Sequence, residues 1–417
     1  MREIRAVHGQ WHVARRILAV RLDTLGEVLL TTPALHAIKE SSPGMELTLL
    51  ASPVGAQAGR LNPDIDRVIA YQAPWMDSWC RLPQDSAREQ RMIAILREQR
   101  FDGAIIFSSF RQSPLPAAYL CYLADIPLRL AASIDGSGSL LTTRHQHPQR
   151  MLHEVERGLE LVGAVGFTTH DLDLVLRVPE RARSRIRDWR LEVGDRRALI
   201  SDLQSPLIVV HPGCSVPART YPWEAYAGVA DRLVERLGAT VVLTGAAHER
   251  ELVERLRSQM QQPAVALAGE LSFAEFCALF EAADLTITNN TGPRHIAAAV
   301  KTPVVVLFAL TNPPQQWHPW RVPHRLLYHD VPCRICYHRI CPYGHECLRL
   351  VAPEQGVDAA ADLLGGARDE AVGGQEANGG AWRLGAGAWE LQAEDWASEV
   401  DGRRLGTGWR PGGPSGA

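Results

Sequence analysis

The chain has 417 residues, 46% of them hydrophobic and 22% charged, with a formal net charge of -3. That is the balance of a globular protein long enough for two domains with separate cores, and it offers no clustered basic field of the kind that binds nucleic acid. No apolar run nears the ~18 residues a membrane span needs, and with no apolar core before Ile17 a signal peptide is not expected, so the expected location is cytoplasmic.

In chain order, 17–21 reads as a strand, 27–38 as a helix with apolar residues at helical spacing, and 47–50 and 66–70 as strands. A helix over 88–98 and a β-branched strand over 103–107 follow. The stretch 127–150 has no clear period and reads as irregular, and 151–165 reads as a helix containing His153 and Glu156. Polar and basic residues over 181–202 suggest an inter-domain connection. The alternation then restarts with strands at 207–210, 240–244, 264–267, 285–288 and 304–308 and helices at 223–237, 249–261 and 273–283. Alternating strands and helices specify βαβ units and a mostly parallel sheet, so the fold class is α/β. The expected divisions are 1–185, 186–364 and a Gly/Ala-rich tail over 365–417 that carries Trp382, Trp389, Trp396 and Trp409 and reads as mostly disordered.

Three stretches carry chemistry. After the first strand, Gly26 permits a tight turn and Glu27 starts the next helix, where a carboxylate can act as general base or simply complement the helix dipole. His211-Pro-Gly-Cys-Ser-Val-Pro-Ala-Arg219 reads as a phosphate-facing loop, with Gly213 admitting an anion to the backbone and Arg219 as clamp or as solvated surface cation. In Asn289-Asn-Thr-Gly-Pro-Arg-His295, Pro293 opens a helix whose free N–H groups favour an anion. There Thr291 and Gly292 would hold a diphosphate, and His295 would help or merely pack. Arg111, in Ser109-Phe-Arg-Gln-Ser113, could meet an acceptor anion or solvent.

Cys333-x2-Cys336-x4-Cys341-x5-Cys347, interleaved with His338 and His345, could form a structural zinc knuckle or hold reduced or partly paired cysteines. Asp171-Leu-Asp173 is expected to be incidental, no catalytic metal is expected, and no dinucleotide or Walker loop is present.

Arg21-Leu-Asp-Thr-Leu-Gly-Glu-Val-Leu-Leu-Thr-Thr-Pro-Ala-Leu35, His211-Pro-Gly-Cys-Ser215 and Asn289-Asn-Thr-Gly-Pro-Arg-His295 together resemble, in the same order, the bacterial heptosyltransferases of glycosyltransferase family nine, over about 16–364. The resemblance implies a GT-B architecture of two Rossmann-like domains, the first binding acceptor and the second nucleotide-sugar. It further implies inverting, metal-independent transfer of heptose from ADP, with no cofactor, to a lipopolysaccharide-core or similar lipid-linked acceptor, and at most peripheral contact with the inner membrane. Glu27 stands at the base position, usually Asp in the family; Arg219 replaces the usual Lys, and Asn290 the usual acidic residue. Ser215, Arg219, Glu249, Asn290, Thr291, Gly292 and His295 would contact the donor, Glu249 at the ribose unless it is only a first-turn helix acid. A nucleotide-sugar epimerase and a non-catalytic nucleotide-sugar binder remain the alternatives.

Overall fold

A computed structural model of the chain describes residues 9–77, 82–196 and 205–370, with 192–196 and 367–370 described in backbone only. The expectations for the tail beyond 370, for 197–202 of the polar stretch and for the first eight residues lie outside the described residues.

Among the described residues, twelve strands form two parallel six-stranded sheets. The first comprises β1 (Arg16–Arg21), β2 (Glu46–Ala51), β3 (Arg67–Ala70), β4 (Gly103–Ile106), β5 (Leu128–Ala132) and β6 (Thr143–His145), in the order β3-β2-β1-β4-β5-β6. The second comprises β7 (Leu207–His211), β8 (Thr240–Leu243), β9 (Val265–Ala266), β10 (Leu285–Asn289), β11 (Val304–Leu307) and β12 (His324–Leu327), in the order β12-β11-β10-β7-β8-β9. Both are the doubly wound order of a Rossmann fold. In each, the strand order reverses beside the first strand, between β1 and β4 and between β7 and β10, and ligands bind where the carboxyl ends of such strands diverge. The central strands β7 (Leu-Ile-Val-Val-His) and β11 (Val-Val-Val-Leu) are buried at every residue, as parallel strands covered on both faces must be.

Five helices position the site: α1 (Leu25–Ser41), α2 (Glu154–Gly163), α3 (Glu180–Arg196), α4 (Phe273–Ala282) and α5 (Pro293–Ala299). Three expectations change. The stretch 127–150 contains β5 and β6. The helix expected from 151 begins at Glu154, with His153 as its N-cap. Its Nδ1 accepts the Val155 N–H at 3.2 Å, while the Glu156 carboxylate accepts the His153 N–H at 2.8 Å. The polar stretch after 180 is the helix α3, held to α4 by ion pairs of Arg183 with Glu281 (2.6 Å) and Arg185 with Glu275 (2.8 Å).

The two halves do not have wholly separate cores. One continuous apolar cluster runs from Leu29 and Ala34 through Val178 and Ile186 to Cys277, Phe280 and Ile296, while two smaller clusters each fill one side of a single sheet. Among the described residues no helix is long and apolar enough to cross a membrane.

Candidate active site

At the switch point of the first sheet, β1 delivers Arg21 and Asp23 into a buried polar network. The Arg21 guanidinium pairs with Asp23 through Nε at 2.8 Å, donates to Ser109 Oγ at 2.7 Å, and reaches Glu154 Oε2 at 3.4 Å. Gln112 Nε2 donates to the other Asp23 oxygen at 2.5 Å. Burial raises the Asp23 carboxyl to about 6 against the pull of Arg21, and the charge of nearby Glu27 raises it further. A carboxyl raised in the folded state binds its proton there more tightly than in the unfolded chain, where its pKa is ~3.9. Its contribution to stability is therefore complete below about pH 4 and lost as pH rises to about 6. Asp23→Asn is expected to remove that slope between pH 4 and 6, measured by denaturant unfolding at a series of pH values; an unchanged slope would reassign the titration.

Glu27 lies in the first turn of α1, half-buried, and its carboxylate accepts a hydrogen bond from the Thr24 hydroxyl. Gly26 before it meets the opposite half directly. A Cβ at Gly26 would stand 2.8 Å from His295 Cδ2 and 3.6 Å from Gly292 Cα, so the expected tight turn is also the contact point between the halves. Gly26→Ala should therefore destabilise the protein by about 1–3 kcal/mol through overpacking, and the loss should shrink in a Gly26→Ala/His295→Ala double variant, read by thermal unfolding.

At the second switch point, β10 ends in Asn289. This buried amide accepts the Tyr221 N–H at 2.9 Å and donates to the Pro212 carbonyl at 2.7 Å, stapling the loop that follows β7. Asn290 turns inward, donating to Asn312 Oδ1 at 2.7 Å, and its own Oδ1 is a buried acceptor with no hydrogen-bond partner. The Thr291 N–H, expected at a diphosphate, donates instead to Asn289 O at 2.7 Å, and its hydroxyl is hydrogen-bonded to Cys214. Gly292 precedes Pro293, the first residue of α5 as expected. His295 is buried against Gly26, and burial beside Arg294 holds its imidazole well below the usual range, so the ring is neutral.

The space at Gly213, expected for an anion, is filled by Glu249. A Cβ there would stand 2.1 Å from Glu249 Oε1. Glu249 accepts the Ala246 N–H at 2.7 Å and lies 3.7 Å from His211 Nε2. Ser215 is exposed on the same loop. Arg111 is exposed with a left-handed backbone (φ 72°), and its guanidinium lies 4.4 Å above the Tyr337 ring of the other half.

The residue that the sequence reading missed is Arg294. Its side chain is buried, with Nε donating to Trp317 O at 3.1 Å, and burial together with Arg219 lowers the guanidinium to about 9. Arg219, half-buried, donates from Nε to Thr311 Oγ1 at 2.9 Å and is likewise lowered by burial. The carboxylate whose charge reaches both is Glu27. The charge of one carboxylate of the first half, Glu27, thus reaches two cations of the second half that burial has lowered. Asn290 and His295 are buried, as is Arg294 itself.

The sequence model for glycosyltransferase family 9 (heptosyltransferase) matches residues 90–346, which include Arg219 and Arg294 but not Glu27. Lipopolysaccharide heptosyltransferase 1 of Pseudomonas aeruginosa is 27% identical over 343 residues, covering 79% of this chain and 88% of the relative. Lipopolysaccharide heptosyltransferase 3 of Escherichia coli K12 is 25% identical over 299 residues, covering 71% and 82%. A solved family 9 glycosyl transferase from Veillonella parvula superposes with a TM-score of 0.70 at 22% identity, covering 84% of this chain and 97% of that one. The E. coli ADP-heptose LPS heptosyltransferase II does so with 0.64 at 20%, covering 85% and 99%. With the model spanning more than half the chain and both sheets in the GT-B arrangement, this protein belongs to glycosyltransferase family 9.

Proposed function

We propose that this glycosyltransferase moves heptose, or a closely related sugar, from an ADP-sugar to a lipopolysaccharide-core or similar lipid-linked acceptor, with inversion and without a metal at the reacting atoms. The observation that carries the reading is that Arg219 and Arg294, both lowered by burial, both feel the charge of Glu27. Two guanidiniums held out of water at a sheet switch point suit a diphosphate, and they supply the positive charge that other transferases take from a metal. In this reading residues 1–185 hold the acceptor and 186–364 the donor.

Glu27 takes the proton of the acceptor hydroxyl as its oxygen bonds the anomeric carbon. The bond from that carbon to the diphosphate breaks on the opposite face, and ADP leaves with the electron pair. Arg219 and Arg294 stabilise the charge gathering on the leaving group, with Gly292 and Thr291 lining the approach and Glu249 at the ribose. Arg111 would meet the acceptor, which brings the enzyme to the inner face of the membrane peripherally. The names of the relatives, lipopolysaccharide heptosyltransferases of two organisms, support heptose and a lipopolysaccharide acceptor.

The test is incubation with ADP-, GDP- and UDP-sugars, each with and without extracted lipid-linked core saccharide. The expected result is transfer from the ADP donor only when acceptor is present, to a product of inverted anomeric configuration. Conversion of donor alone would point to epimerase chemistry. Tight donor binding with no transfer to any acceptor would make the chain a binding protein.

A further inference from the structure

The segment from Val331 to His345 has no helix or strand of its own, yet it is fixed against the donor side of the site. Ala218 N donates to Arg339 O at 3.0 Å, His345 Nε2 donates to Ala218 O at 2.9 Å, and Tyr337 N donates to Thr311 O at 2.8 Å. These are the neighbours of Arg219 and the partner of its Nε. An irregular stretch of this length needs something besides backbone pairing to hold it, and its apolar side chains Tyr337, Ile340 and Tyr343 are exposed. What it contains instead is cysteine. Cys333, Cys336, Cys341 and Cys347 are all free thiols, and all four line one cavity of about 10 Å³ together with Ala218, Leu310 and Thr311. That is roughly the space of a single water-sized body.

We propose that these four cysteines bind one divalent transition metal as a tetrathiolate, stapling the 331–347 segment to the loop that carries Arg219. Four thiolates select zinc or iron over magnesium or calcium, since a soft sulfur set suits the former and oxygen ligands the latter. The two turns of the segment supply ligands in the spacing of a knuckle: a close pair, then two single cysteines. No three of the sulfurs all lie within 4.8 Å of one another, whereas tetrahedral bonds of 2.3 Å set sulfurs about 3.8 Å apart. Binding therefore draws the cysteines inward, three of them from a stretch without helix or strand and Cys347 from the one-turn helix Glu346–Arg349. Each thiol gives up its proton to solvent and its sulfur lone pair to the metal, with no change of oxidation state.

The test measures metal rather than sugar transfer, so its failure leaves the transferase reading untouched. The full chain, purified reduced and without chelator, is analysed by elemental mass spectrometry, which also distinguishes zinc from iron. About one equivalent per chain is expected for one four-cysteine site. It should be lost in Cys341→Ser and retained in Cys121→Ala, whose cysteine is buried in the first half. As a control against misfolding of Cys341→Ser, wild-type protein exchanged into Co2+ provides a second readout, a thiolate-to-cobalt charge-transfer band. Metal-free protein with no cobalt band, its four cysteines reactive to a thiol reagent or joined as disulfides, would overturn the proposal.

Discussion

Glu27→Gln is expected to lower kcat by about 10²- to 10⁴-fold, the range for losing a positioned general base, while leaving the KM for the nucleotide-sugar unchanged or lower. The substitution keeps the side-chain length and an oxygen able to accept from the Thr24 hydroxyl, so the first turn of α1 should hold its geometry. What it removes is the lone pair basic enough to take a proton, and one negative charge felt by Arg219 and Arg294. Losing that charge leaves the two cations freer to attract a diphosphate, so donor affinity should not fall. The competing acceptor of the proton is Asp23, buried on the same strand end and raised to about 6. Steady-state kinetics of Glu27→Gln beside Asp23→Asn separates them. Near-normal turnover in the first with collapse in the second would transfer the role to Asp23.

The fold was legible wherever a strand is covered on both faces. β7 and β11 read as nearly unbroken apolar runs because helices pack on each side of the sheet. Of the four outer strands, β3 and β9 were read and β6 and β12 were not. β6 (Thr-Arg-His) and β12 (His-Arg-Leu-Leu) each have one neighbouring strand and partly exposed residues, so burial leaves no period to read. That the connection is largely the helix α3 was not legible, because the few apolar residues of this charged run, Ala182 and Ile186, find their core only in the folded chain.

The site divides the same way. Turn chemistry is local, so the glycines and Pro293 marked both switch points correctly. What fills the space beside a glycine is not local. Gly26 faces the ring of His295 and Gly213 the carboxylate of Glu249, and neither contact leaves a trace in spacing. Arg294 was overlooked because an arginine in the first turn of a helix ordinarily points to water. Only the arrangement of β10 and the Trp317 carbonyl turns it inward, toward Arg219.

That inward turn underlies the second large effect. Arg294→Met should reduce kcat/KM for the donor by about 10²- to 10³-fold, equivalent to roughly 3–4 kcal/mol for loss of one charge-assisted contact to a departing oxyanion. The same substitution should cost the ligand-free protein little stability. A buried guanidinium depressed to about 9, with a second cation beside it, is a desolvated charge only partly compensated, and replacing such a group by an apolar side chain of similar reach is often neutral or stabilising. Methionine fills the volume, while the Trp317 carbonyl, which loses its donor, sets the remaining cost. Measured together, unfolding of the free protein and ADP-induced thermal stabilisation should move apart: the first nearly unchanged, the second much reduced. If both fell in parallel, Arg294 would be a structural residue of α5. The diphosphate would then have to be held by Arg219 alone, a weaker clamp that Arg219→Lys would test by removing its bidentate geometry while keeping its charge.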